Sequence, residues 1–100
     1  MEGMTMITDL LKFNIKEGSI DDAIDLMRRQ MQKTLGDEGC LIAKAFHSRI
    51  NTNEIYMLLG WESREAIDKH LKTDHDQMFR VNLDPLLSGP PEFYDWETIE

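Results

Sequence analysis

The hydrophobic and polar positions change period several times along the chain, and each change marks an element. From Thr5 to Lys16 they alternate. Ile7, Leu11, Phe13 and Ile15 fall on one face and Thr8, Lys12 and Asn14 on the other, as in a half-buried strand. Asp9 interrupts the apolar face. Lys16-Glu17-Gly18-Ser19 turns the chain, with Gly18 free to take a positive φ. From Ile20 the period becomes helical, with Ile20, Ala23, Ile24, Met27, Met31 and Leu35 on one stripe. Ser19 followed by Asp22 reads as a capping box with Asp in place of Glu, and Gly36 and Gly39 bracket the stop.

Cys40 to Ser48 reads as a second strand, with Cys40, Ile42 and Phe46 on one face and Leu41, Ala43 and Ala45 on the other. Asn51-Thr52-Asn53 is turn chemistry. Glu54 to Glu62 is a third strand, in which Tyr56 and Leu58 oppose Ile55, Met57, Leu59 and Trp61. The short link makes these two an antiparallel hairpin. Ser63 caps a helix with Ala66, Ile67, His70 and Leu71 on its apolar side. Thr73, with Asp76 after it, caps a second piece carrying Met78, Phe79, Val81, Asn82 and Leu83. Pro85 and the Ser88–Pro91 segment break that helix, and Glu92 to Ile99 alternates as a last strand. The order β-α-β-β-α-β, with its second helical region split, predicts an α+β, ferredoxin-like domain. Its four-stranded antiparallel sheet carries helices on one face. Apolar residues on both faces of the middle strands predict that a second copy covers the other face, giving a homodimer through sheet faces.

Length and charge narrow the function. One hundred residues make a single domain, 1–100. A net charge of -8 argues against nucleic acid and against anionic membranes as partners. Cys40 is the only cysteine, so no intrachain disulfide forms. No basic segment leads into an apolar run, and no run approaches the roughly 20 residues of a membrane span, so a soluble cytoplasmic protein is expected. Phosphate loops and nucleophile elbows are lacking as well.

Four stretches carry a family resemblance. FNIKEGSIDDAIDLM, DEGCLIAKAFHS, NEIYMLLGWESREAIDKHLKTDH and NLDPLLSGPPEFYDW, in this order and spacing, resemble the antibiotic biosynthesis monooxygenase family of dimeric α/β barrels. The resemblance covers essentially the whole domain. It implies protomers that pair sheet to sheet, each with a small hydrophobic pocket between sheet and helices. Some members oxidise aromatic polyketides or quinols with molecular oxygen and use no metal or flavin; others degrade haem or isomerise a small sugar phosphate. The haem-degrading pattern fits poorly. Trp61 matches its tryptophan, but Leu11 and Arg80 stand where its asparagine and histidine belong.

The candidate chemistry lies in WESREAIDKHLKTDH. His75, in a helix's first turn, shares a side with Met78, Phe79 and Asn82 and is a candidate general base. An ordinary helix-cap histidine explains it about as well. His70, near a helix end on the apolar side, reads first as structural and second as a proton partner or oxyanion stabiliser, a role Asn14 shares. Trp61, Phe79, Met78, Phe13, Phe46 and Tyr56 are candidate walls for a flat aromatic ligand, with core packing as the alternative for each. Two histidines five apart across a cap are not an i, i+4 metal pair, and no third ligand is evident beside them, so neither metal nor cofactor is expected. The resulting expectation is a cofactor-independent monooxygenase acting on a quinol or other electron-rich aromatic. The alternatives are a proton-transfer enzyme such as an isomerase and a non-catalytic dimer that binds a small hydrophobic ligand.

Overall fold

A computed structural model describes residues 6–99; the predicted strand start at Thr5 lies outside them. The elements are β1 (Ile7–Asn14), α1 (Ile20–Leu35), β2 (Cys40–His47), β3 (Glu54–Trp61), α2 (Arg64–Leu71), α3 (Asp74–Leu83), a 3-10 turn (Asp84–Leu86) and β4 (Glu92–Glu97). The strands form one antiparallel sheet in the order β2-β3-β1-β4. This is the predicted split-βαβ topology, with the second helical region in two pieces.

The helices cover one face. Phe13, Ile55, Met57, Leu59 and Trp61 point under them and pack with Ala23, Met27, Ile67 and Phe79 in the core. Ser63 and Thr73 cap as their sequence predicts, their hydroxyls accepting from the Ala66 and Asp76 backbone N–H groups. Ser19 does not: it holds the N-cap position of α1 but makes no side-chain cap bond. Its backbone is outside the extended region that brings a cap hydroxyl onto the first turn. Gly39 is a forced choice, since its φ is 82° and an added Cβ would lie 2.4 Å from the Ala66 Cβ. The EGC turn therefore fixes how closely the loop after α1 approaches α2.

One predicted face is corrected. Cys40 pairs with Trp61 while Ile42 pairs with Gly60, so a bulge falls at Leu41. Cys40 thus shares the helix-side face with Ala43 and Ala45 rather than the outer face with Ile42 and Phe46. The outer face holds Leu10, Leu58, Phe46, Tyr94 and Trp96, with Tyr94 and Trp96 stacked at 5.9 Å. Trp96 is 48% exposed there. Lys12, on the same face, is ion-paired to Glu54 and Glu92.

Candidate functional site

A cavity of about 320 Å³ opens between the sheet and helices α2 and α3. Its sheet wall is Leu11, Phe13, Leu59 and Trp61; its helix wall is Ile67, Phe79 and Leu83, with Phe93 of β4 at one side. Five ionisable side chains line this apolar box: Asp9 from β1, His70 from α2 and Asp76 from α3, all buried, and the exposed Arg80 and Asp84. Apolar walls with a few convergent polar groups are the usual composition of a small-molecule site.

His70 is 5% exposed and uses both ring nitrogens. Nδ1 lies 2.6 Å from Asp37 Oδ2, and Nε2 lies 3.1 Å from Asp76 Oδ1. Burial works against a charge on this ring, but hydrogen bonds to Asp76 and Asp37 outweigh it and lift its pKa above the ordinary 6.5. His70 is therefore held between two carboxylates that favour its imidazolium form. Asp37 belongs to the loop after α1. Burial would raise its pKa, yet bonds from His70 and His75 bring it below the ordinary 3.8. Beyond Asp37, His75 Nε2 lies 2.9 Å from Oδ2, and its Nδ1 accepts from Gln30 Nε2 at 3.1 Å. Arg80 Nε stands 3.2 Å from Asp76 Oδ2, an ion pair by distance that falls short of hydrogen-bond geometry.

Trp61 is fully buried, its ring 4.9 Å from His70, and its indole Nε1 has no hydrogen-bond partner among the described residues. Asp9 is 5% exposed, with Oδ1 likewise unpartnered. It faces Asp95 directly across the β1–β4 ladder. Burial first, then the hydrogen bond and charge of Asp95, push the Asp9 carboxyl up to about 7.

Of the residues singled out from the sequence, His70, Trp61, Phe79 and Phe13 come together on this cavity. His75 does not reach it. With Met78 and Phe79 it lines a separate hollow of about 90 Å³ between α1 and α3, and Asp37 stands between it and His70. Met78 is 55% exposed. Asn14, Phe46 and Tyr56 have the opposite strand parity from Phe13 and Ile55, so alternation carries them to the outer face. There the Tyr56 hydroxyl donates to Glu54 Oε1. The sequence reading missed Asp9, Asp37 and Asp76. Asp9 did leave a signal, a charge in the middle of an apolar strand face.

The third ligand that two histidines five apart lacked is also Asp37. One ligand atom each from Asp37, His70 and His75 lie within 4.8 Å of one another. As arranged, the three satisfy each other by hydrogen bonds. A metal would have to displace the bonds at 2.6 and 2.9 Å, so the cluster reads as an ion-pair network.

The titrations fix a pH profile for stability. The His70 contribution is complete below 6.5 and fades as pH rises through its elevated folded value. The Asp37 contribution is complete above 3.8 and fades as pH falls through its depressed one. Asp9, raised from 3.8 to about 7, costs progressively more stability across that interval. The melting temperature is thus expected to peak between pH 3.8 and 6.5 and to fall towards pH 8. Asp9 accounts for about 1–3 kcal/mol of the decline, discounted for solvent reaching the carboxyl. Thermal melts of the wild type and Asp9→Asn across pH check this: the variant flattens the fall, and a wild-type maximum at pH 8 contradicts it.

The antibiotic biosynthesis monooxygenase family profile matches residues 6–81. None of the curated proteins matches. Among solved structures, a conserved protein from Methanosarcina mazei is 22% identical, with 93% of this chain and 92% of that one covered at a TM-score of 0.87. A protein from Pseudomonas aeruginosa is 19% identical over 99% and 100% of the two chains, with a TM-score of 0.90. A candidate antibiotic biosynthesis monooxygenase from Nitrosomonas europaea is 12% identical over 99% and 94%, with a TM-score of 0.91. At these identities the structures speak for the fold alone. The chain belongs to the antibiotic biosynthesis monooxygenase family.

Proposed function

We propose that this member of the antibiotic biosynthesis monooxygenase family oxidises a quinol or other electron-rich aromatic with molecular oxygen, in the cavity between sheet and helices, without metal or flavin. The observation that carries the reading is the cavity itself: an apolar slot walled by Phe13, Trp61 and Phe79, with the His70 ring against the Trp61 indole. A flat ring fits those walls by stacking and burial. Loss of a hydroxyl proton gives an electron-rich anion. The unpartnered Trp61 N–H and the His70 ring, whose imidazolium form two carboxylates favour, stabilise its oxygen. For a quinol, the ring gains one oxygen atom and loses two hydrogens, and the second oxygen atom leaves as water. The substrate supplies all the electrons.

In this reading the protein works in the cytoplasm as a homodimer. The outer sheet face, with Leu10, Leu58, Tyr94 and Trp96, is the surface two protomers share. A second reading, a proton-transfer isomerase, draws support from the density of carboxylates at the cavity; it consumes no oxygen. Oxygen-electrode measurements across quinols and anthrone-like aromatics separate the two. Uptake well above the uncatalysed rate, reduced in Trp61→Phe, supports the oxygenase. A folded dimer that turns over none of these compounds counts against it.

A further inference from the structure

The cavity needs a group to take the hydroxyl proton, and the two histidines are poorly placed for it. His75 is outside, and both nitrogens of His70 already face carboxylates. Asp76 is held by His70 and by the Arg80 cation. Asp9 remains.

We propose that Asp9 is the proton acceptor of the cavity, taking the hydroxyl proton of a bound neutral phenol or enol, and that Asp95 behind it exchanges that proton with solvent. The inference rests on the cavity being the substrate site. Its geometry is that of a two-carboxyl relay. Asp9 lines the cavity; Asp95 is exposed and lines a different hollow with Ile7 and Arg64. The two are direct cross-strand partners, so their side chains start about 5 Å apart and can share one proton. Two facing carboxylates resist ionising together, so the ionised pair readily takes up one proton near neutral pH. The charged groups that act on Asp9 are Asp95 on β4 and Arg64 and His70 on α2; Asp76 on α3 lines the same cavity.

In the step itself the ligand O–H bond breaks and its electron pair stays on the ligand oxygen. The proton adds to the Asp9 carboxylate of the ionised pair and leaves to solvent by way of Asp95. Nothing is oxidised. Such a site selects ligands that are neutral when they enter and carry an acidic hydroxyl. It rejects carboxylates and phosphates, which would bring a further charge against Asp9 and Asp76.

The test uses 4-nitrophenol, whose phenol and phenolate absorb at different wavelengths, bound to the full chain at neutral pH, where Asp9 is partly ionised and much of the free dye is still the phenol. With wild type, the bound dye is expected to show about tenfold more phenolate relative to phenol than free dye, a one-unit displacement. A protonated-carboxyl infrared band should appear with it. Asp9→Asn, isosteric and neutral, should bind the dye as the phenol and lack the band. Asp95→Asn removes the facing charge and should give an intermediate phenolate share. Binding as the phenol in wild type, or equal ionisation in wild type and Asp9→Asn, overturns the role of Asp9 and leaves the cavity reading intact. If Asp9→Asn does not fold, Asp95→Asn decides: ionisation as in wild type overturns the relay. A dye that wild type does not bind at all overturns both.

Discussion

Trp61→Ala is expected to cost about 3–5 kcal/mol of stability, the range for removing a fully buried large aromatic. In a domain of this size each kcal/mol lowers the melting temperature by roughly 4–8 °C, so the variant should melt well below the wild type or fail to accumulate. The cause is specific. Trp61 closes the corner where β3 meets α2, pairs with Ile7 and Cys40 across the sheet and stacks at an angle on His70. Its removal opens a void beside that ring and leaves the His70 pair poorly shielded. Trp61→Phe separates structure from function. It keeps most of the packing and loses only the indole N–H, so it should fold, melt within about 1–2 kcal/mol of wild type and bind phenolic ligands less tightly. Calorimetric melts and ligand titrations of the two variants check this. A Trp61→Ala protein as stable as wild type contradicts the placement of this ring at the centre of the core.

The second large effect concerns assembly. Leu10 stands in the middle of the outer sheet face, between Leu58 and Tyr94. Leu10→Lys puts a desolvated charge at the centre of the proposed dimer interface. Changes at such central positions cost about 2–4 kcal/mol of binding, roughly 30- to 1000-fold in dissociation constant. Leu10 is only part-buried in the single protomer, so the fold itself should survive. Sedimentation equilibrium is expected to show a wild-type dimer and a Leu10→Lys protein that dissociates at far higher concentrations. A monomeric wild type, or a variant dimer of unchanged strength, contradicts pairing through this face.

These effects trace back to what single residues could and could not announce in the sequence. Alternation placed Phe13, Met57 and Trp61 on one face because a strand's side chains repeat every two residues, and no tertiary contact can change that. The bulge at Leu41 escaped for the same reason: one extra residue reverses parity without any mark in composition, and it carried Cys40 to the other face. Helical spacing put His75 beside Met78, Phe79 and Asn82, and all four do line one hollow. Periodicity does not say which neighbour a stripe meets; this one meets α1 and Gln30 rather than the sheet. Asp37 was the least legible. It binds histidines 33 and 38 positions away, a proximity created by the turn at Gly39 packing on Ala66. Asp76 read as a cap partner, and its backbone N–H is capped by Thr73, yet its carboxylate also holds His70. Asp9 was visible as a charge out of pattern. Its meaning depended on Asp95, which only the pairing of the first and last strands brings opposite it.

The central claim, oxygenation of a bound aromatic by molecular oxygen, is tested most directly by isotope labelling. Quinol or anthrone substrates that support oxygen uptake would be turned over under ¹⁸O₂ and the products weighed by mass spectrometry. The account predicts one labelled atom per product molecule, with the second recovered in water and the incorporation rate lowered in Trp61→Phe. Product carrying oxygen only from water, or substrate merely rearranged with no oxygen consumed, would contradict it and leave the cavity to proton-transfer chemistry.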